Sequence, residues 1–289
     1  MTIFQLQVLA EVVNSGSFTK AGEKLGLSQS GVSHTISSLE SELDITLLSR
    51  NRNGITVTDS GERILKHVRN ILEHNEKLNQ ERGLIKGIEV GKVKVGAFSS
   101  VSSQILPKIL KDFKKKHPGI EIELYEGGYD DIKNWITSGI VDIGFVTLPC
   151  PDYDTEFILK DDLYIILSEE HPLSNHQIMT LNQIEQEPFI MPKAGCEILV
   201  KKSFKRDNLK PNITFEISNN NTILAMVEQG IGISIVPKLT LPNTLNNVVL
   251  VKPEPPIFRD IGLAVSSLKS VPLAVKKFIE STKKIKITL

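Results

Sequence analysis

The chain has 289 residues, balances 34 lysines and arginines against 34 aspartates and glutamates, and is 40% hydrophobic. That balance excludes a basic tail as the source of any nucleic-acid affinity, the length allows a sizeable core, and the only two cysteines, Cys150 and Cys196, lie far apart as suits a reducing compartment. No leader segment and no run of about 18 apolar residues is read, so the expectation is a soluble, cytoplasmic protein with no membrane partner.

In chain order, Leu6, Leu9, Val12 and Val13 place a first amphipathic helix, which the stretch NSGSF (14–18) breaks. The stretch TKAGEKLGLSQSGVSHTISSLESEL (19–43) then reads as helix, short turn, helix. Gly26 can take the left-handed conformation that ends one helix, and Ser28 can cap the next. Val32, Ile36, Leu39 and Leu43 recur at i, i+4, i+7 and i+11, a single apolar stripe, and Ala21 and Leu25 are spaced to pack against it. The opposite face carries Gln29, Ser30, Ser33, His34 and Ser37, all small or hydrogen-bonding. This is a compact helix-turn-helix with a polar outer face.

The stretch LLSRNRNGITVT (47–58) reads as a two-stranded hairpin, with Asn53 and Gly54 at the turn and Ile55 and Val57 alternating behind it. A hairpin in this place is a wing. Phosphate contacts are expected from the Thr19 and Ser33 hydroxyls, from amides at helix starts, and from Arg50 or Arg52. Gln29, in the first turn of the second helix, can pair bidentately with adenine, and His34 and Ser37 follow one turn later. Arg52 can enter a minor groove, while Arg50 has a structural alternative in pairing with Glu62. The candidate DNA-contacting set is therefore Thr19, Ser28, Gln29, Ser30, Ser33, His34, Ser37, Arg50 and Arg52.

The stretches GSFTKAGEKLGLSQSGVSHTISSLESEL and LLSRNRNGITVTDSG resemble, in order and spacing, the winged helix-turn-helix of LysR-type transcriptional regulators, over residues 1 to about 88. Gly22, Ser30 and Leu48 depart from that family's pattern, where Ala, Pro and Phe are frequent.

After the hairpin comes a long helix that Thr58 or Asp59 can cap, with Glu62 placed to complete a capping box. Ile64, Val68, Ile71, Asn75, Leu78, Arg82 and Ile85 alternate steps of four and three, a heptad seam in which Asn75 can fix register. The alternative is a helix packed on its own domain. The resemblance implies a dimerising linker helix, here Ile64, Val68, Ile71, Asn75 and Leu78, and so a DNA site with dyad symmetry.

GLIKGIEVGK (83–92), with three glycines, marks a boundary. Beyond it strand-like runs such as KVKVGAF, IEIELYEG and VDIGFV alternate with helical ones, which argues an α/β fold with two sheets. Ligands in such folds bind at strand C-terminal ends. Ser99 and Ser100 in the first half, and Asn220, Asn221 and Thr222 in the second, precede helices and can form donor nests. Helix starts that face one cleft favour an anion, most simply a carboxylate. Gly128 and Thr147 end strands of the first half; Met191, Pro192 and Lys193 end one of the second; Cys196 lies in a loop nearby. For any one of these residues, capping is the plainer role.

ILPKILKDFKKKHPGIEIELYEG, SGIVDIGFV, EEHPL and VEQGIGISIVP extend the resemblance to the LysR-type effector domain, which is itself similar to periplasmic solute-binding proteins. The fold class expected is α/β overall: a winged helix-turn-helix over 1–58, a linker helix over 59–88, and a two-part effector region over 89–289. Its first half comprises 89–160 with 266–289, and its second half 161–265. The resemblance implies a homodimer or homotetramer on promoter DNA, with a small-molecule effector shifting the angle between halves, and RNA polymerase as a further candidate partner. No Gly-rich phosphate loop, metal-spaced histidines or Gly-x-Ser-x-Gly motif is read, so no catalysis, cofactor or metal is expected. Two rivals share the cleft. A redox-responsive regulator would use Cys196, and a solute-binding protein would lack the wing and need an export signal.

Overall fold

The computed structural model describes residues 1–51, 54–85, 90–193 and 195–285. Arg52 and Asn53, expected in a groove contact and a turn, lie outside the described residues, as does the side chain of Arg50.

Three helices build the N-terminal core: α1 (Ile3–Ser15), α2 (Phe18–Leu25) and α3 (Gln29–Leu43). α1 opens on a capping box, Gln5 N–H donating to Thr2 Oγ1 at 3.2 Å and Thr2 N–H to Gln5 Oε1 at 2.7 Å. α1 and α2 end on Gly16 and Gly26, whose φ angles of 63° and 68° lie in the left-handed region that glycine enters without strain. Ser28 caps α3 by accepting from Gly31 N–H at 3.1 Å. The expected stripe is the buried one: Val32, Ile36 and Leu39 pack with Leu6, Leu9, Val12, Phe18 and Ala21. Burying each of these side chains larger than alanine contributes about 1.5–3 kcal/mol.

The wing is β1 (Leu48–Asn51) paired antiparallel with β2 (Gly54–Val57). It is tied to α3 by Glu40, whose Oε1 accepts from the amides of Leu47 at 2.7 Å and Leu48 at 3.1 Å. Next comes α4 (Asp59–Ile85). Thr58 is its cap, accepting from Gly61 N–H at 2.9 Å, so the third helical residue is Gly61 and the capping box with Glu62 does not form. A Cβ on Gly61 would stand 2.2 Å from the Leu47 carbonyl oxygen, so only glycine lets α4 start this close to the wing.

The C-terminal region begins with three parallel strands, β3 (Gly91–Ala97), β4 (Ile120–Glu126) and β5 (Ile143–Leu148), in the order β4-β3-β5. Helices α5 (Ser99–Gln104), α6 (Leu106–Lys116) and α7 (Tyr129–Thr137) connect them. Then β6 (Asp154–Ser168) crosses into the second half. That half holds β7 (Ile178–Thr180), β8 (Pro188–Pro192), α8 (Glu197–Arg206), β9 (Asn212–Ile217), α9 (Asn220–Glu228), β10 (Ser234–Pro237) and β11 (Val248–Glu254). β12 (Phe258–Val265) returns to the first half, and α10 (Leu273–Lys284) closes it.

The halves do not have wholly separate sheets. One end of β6 pairs with β12 and the other with β10 and β11, giving one eight-stranded order, β4-β3-β5-β12-β6-β11-β7, with β10 also on β6. Among the described residues of this region, β8 and β9 form a separate two-stranded sheet. Each half keeps its own core: Val95, Phe113, Phe145 and Phe278 in the first, Leu163, Ile165, Phe189 and Phe204 in the second. Leu239, from a 3-10 turn of the second half (Lys238–Thr240), inserts into the first core. No helix among the described residues is long and apolar enough to cross a membrane.

Candidate functional site

Ser28 starts α3 and its apolar stripe faces inward, so the outer face is fixed in direction. Ser28, Gln29, Ser30, His34 and Ser37 are exposed on it and Ser33 is half-buried, while Thr19 is exposed on α2. Ser28 Oγ, besides its cap bond, lies 3.0 Å from Ser30 Oγ, so these two hydroxyls help build the turn. Gln29 and His34 are the longest side chains the face presents. Thr35, next to His34, spends its hydroxyl on the Gly31 carbonyl at 2.9 Å.

On α4 the expected seam divides. Val68 is 2% exposed and, with Leu65, completes the core of the winged unit, and Ile64 packs against the same cluster. This corrects the reading of Val68 as a seam residue. Leu72 still packs on this core, and the helix leaves the winged unit only beyond it. Ile71 and Leu78 are 38% and 68% exposed with Asn75 half-buried between them, one heptad of unpartnered apolar surface. The Ile85 side chain lies outside the described residues.

Between the halves of the effector region lies a buried polar hub. Arg259 on β12 and Asp161 on β6 are directly opposed in the strand register, and they are 4% and 0% exposed. Arg259 Nε and Nη2 donate to Asp161 Oδ2 at 2.9 and 2.7 Å; Nη2 also donates to Ser100 Oγ at 3.0 Å, and Nη1 to the Tyr129 hydroxyl. Asp161 Oδ1 accepts from the Leu239 amide at 3.1 Å. The guanidinium also lies 5.0 Å from the Phe98 ring, which meets the Tyr129 ring edge-on at 4.9 Å. The hub thus gathers α5, α7, β6, the 238–240 turn and β12. Burial pushes the Asp161 carboxyl up, while the facing guanidinium and the Leu239 amide pull it back; burial likewise pushes the Tyr129 phenol up.

Of the residues expected to line the cleft, Ser100, Thr147 and Cys196 come together at this hub. Ser100 bonds Arg259 directly. Thr147 Oγ1 is buried beside the Tyr129 hydroxyl, near enough to favour the phenolate but outside good hydrogen-bond geometry. Cys196, 2% exposed, lies close enough to Arg259 to feel its charge. The others are placed differently. Ser99 is exposed at the start of α5, and the Gly128 amide is taken by Asp131 Oδ2 at 2.9 Å, which caps α7. Met191 belongs to the second core because β8 turns it inward, and Pro192 is buried beside it. Lys193 pairs with Glu216 at 2.5 Å on neighbouring β9. At α9 the expected donor nest is already filled: Asn219 Oδ1 accepts from the Asn221 and Thr222 amides at 2.9 and 3.2 Å. The carboxamide oxygen of Asn220 is buried without a partner. Among the described residues, no hydrogen bond or ion pair joins the start of α9 to the hub.

Sequence reading missed Arg259, Asp161 and Tyr129. A parity signal was available: on their strands Asp161 alternates with Leu159, Leu163 and Ile165, and Arg259 with Ile261 and Leu263, all inward positions.

Both cysteines are free and buried, and burial pushes the Cys196 thiol up to about 11. At neutral pH it is held as the unreactive thiol. A chromogenic disulfide reagent at pH 7.5 is expected to label neither cysteine appreciably in the native protein and both after denaturation. Rapid native labelling of Cys196 would overturn this. Among the described residues no three His, Cys, Asp or Glu side chains are grouped to hold a metal ion.

Comparison with known proteins gives a consistent result. The family described as "LysR substrate binding domain" matches residues 86–284, and "Bacterial regulatory helix-turn-helix protein, lysR family" matches residues 3–62. YvbU of Bacillus subtilis (strain 168), named as an uncharacterized HTH-type transcriptional regulator, is 36% identical over 288 residues, 99% of each chain. Among solved structures, a full-length OxyR variant from Pseudomonas aeruginosa is similar with a TM-score of 0.77 at 19% identity, covering 100% of both chains. Full-length CbnR, solved in complex with its target DNA, is similar with a TM-score of 0.64 at 22% identity, covering 98% of this chain and 99% of its own.

Proposed function

Because the chain belongs to the LysR family of bacterial transcriptional regulators, we propose that it reads a dyad-symmetric promoter site as a homodimer or homotetramer, under the control of a small anion bound between its effector halves. The observation that carries the DNA-reading part is the outward polar face of α3, capped by Ser28 and backed by a buried stripe, with Gln29 in its first turn. The division we adopt is a winged unit over 1–58, a linker over 59–88 and an effector region over 89–289. In the similar structure of CbnR the fold is seen with DNA, which agrees with this use of α3.

Gln29 and His34 meet base edges in this reading, while Thr19, Ser33 and Ser37 serve phosphates, together with Arg50 and Arg52 of the wing. Charge balance makes each head a modest binder, so affinity comes from two heads on one duplex. The effector acts only through its different affinity for two arrangements of the halves, and the cleft wall it meets is the Arg259 hub. A carboxylate is the simplest such anion. A redox reading centred on Cys196 loses support from the burial and raised pKa of that thiol.

The test is fluorescence anisotropy of the full chain on DNA from upstream of its own gene and on a scrambled duplex, at two salt concentrations. Specific, salt-sensitive binding is expected, and Gln29→Ala is expected to weaken it by about 2–6 kcal/mol over two half-sites, at about 1–3 kcal/mol per bidentate pair. Equal binding of both duplexes by the unaltered chain, or an unaffected Gln29→Ala variant, would overturn the assignment.

A further inference from the structure

The hub holds hydrogen-bond donors that meet no acceptor. Its carboxylate, Asp161, is used on both oxygens: Oδ2 accepts twice from Arg259 and Oδ1 from the Leu239 amide. Against this stand the second Nη1 hydrogen of Arg259, the Ser100 hydroxyl, which accepts from Arg259 and donates to nothing among the described residues, and the Thr147 hydroxyl, buried with only the Tyr129 phenol beside it and in poor geometry for a bond. A tyrosine hydroxyl is a poor acceptor to place among so many donors, and it brings a further donor of its own. Buried donors left unpaired favour a ligand rich in acceptors.

Tyr129 is also placed as a wedge. It is the first residue of α7, in the first half, and its ring lies under the loop of the second half at Gly195. A Cβ on Gly195, whose φ of 97° already favours glycine, would stand 2.6 Å from Tyr129 Cδ2. The phenol thus occupies the gap between the halves, with its oxygen on Arg259 Nη1.

We propose that the Tyr129 hydroxyl is a stand-in for a carboxylate oxygen of the effector, which displaces it from Arg259 Nη1 and takes the Ser100 and Thr147 hydroxyls as further donors. This rests on the reading of the cleft as the site of an anionic effector and narrows it to a carboxylate held at these three residues. Displacing the phenol frees α7 to shift against the Gly195 loop, which makes Tyr129 a gate as well as a competitor.

The test uses the full chain and a probe set of acetate, succinate and benzoate, with chloride and acetamide as controls at constant ionic strength. The readout is emission of Trp135, the sole tryptophan, which lies on α7 with Tyr129. A saturable response to at least one carboxylate, and to neither control, is expected. Tyr129→Phe keeps the ring but removes the competing oxygen, so that carboxylate should bind about 3- to 10-fold more tightly. The variant should also melt lower than the unaltered chain when ligand-free and regain stability when the carboxylate is added. Thr147→Val should weaken binding about 10-fold. If carboxylates bind but Tyr129→Phe leaves their affinity unchanged or lower, the stand-in is refuted while the anionic effector survives. If no carboxylate binds the unaltered chain or Tyr129→Phe, the anionic effector itself falls, and the stand-in with it.

Discussion

Asp161→Ala is expected to destabilise the effector region by about 3–5 kcal/mol, the usual cost of leaving one member of a buried ion pair without its partner. Arg259 is 4% exposed, and its remaining partners, Ser100 and the Tyr129 hydroxyl, are neutral. Among the described residues no other carboxylate bonds it, so the guanidinium would keep its charge without a counter-ion there. Leu239 would lose the acceptor for its amide at the same stroke. Removing both members is a different matter: Asp161→Ala with Arg259→Met is expected to recover much of the loss, because the desolvation cost goes with the charges. Urea unfolding followed by Trp135 emission measures both. A single Asp161→Ala variant within about 1 kcal/mol of the unaltered chain would mean that the hub is not held together by this pair.

The linker helix carries the second large effect. Ile71→Asp combined with Leu78→Asp is expected to convert the oligomer to monomers and to lower DNA affinity by more than two orders of magnitude, since each half-site alone is a weak anchor. Across a two-fold seam the double change removes four apolar side chains, at about 1.5–3 kcal/mol each. Light scattering gives the mass and anisotropy the affinity. Val68→Asp is the informative contrast: because Val68 is in the core of the winged unit, its loss should unfold that unit rather than separate the chains. A double variant that stays dimeric would remove Ile71 and Leu78 from the interface.

The helix-turn-helix was legible because its determinants are local. Gly26 and Ser28 set the turn, and a stripe of period 3.6 sets the inward face, all within two turns of one another. The linker was legible as a helix, but not in where its partner changes, because Val68 and Ile71 belong to one heptad and only packing against α1 and the wing separates them. The hub was not legible for a stronger reason. Asp161 and Arg259 are paired across two strands and are 98 residues apart, and each has an exposed or half-exposed acidic neighbour, Asp162 and Asp260, that gives its dipeptide the look of a strand end. The donor nests were placed by helix starts, yet at α9 the chain spends those amides on Asn219. Ser100 was found for its position before a helix, whereas its role comes from a guanidinium that reaches it from β12.

The long β6 strand sets how the cleft can work. Because it is laddered to β12 at one end and to β10 and β11 at the other, drawing the halves apart in translation would break that ladder, at about 0.5–1.5 kcal/mol net for each hydrogen bond lost. Twisting the shared ribbon costs far less. In the proposed mechanism the halves would then act as two handles on one torsion bar: a ligand lodged off its axis would exert a torque rather than a push, and a rotation would reach the linker.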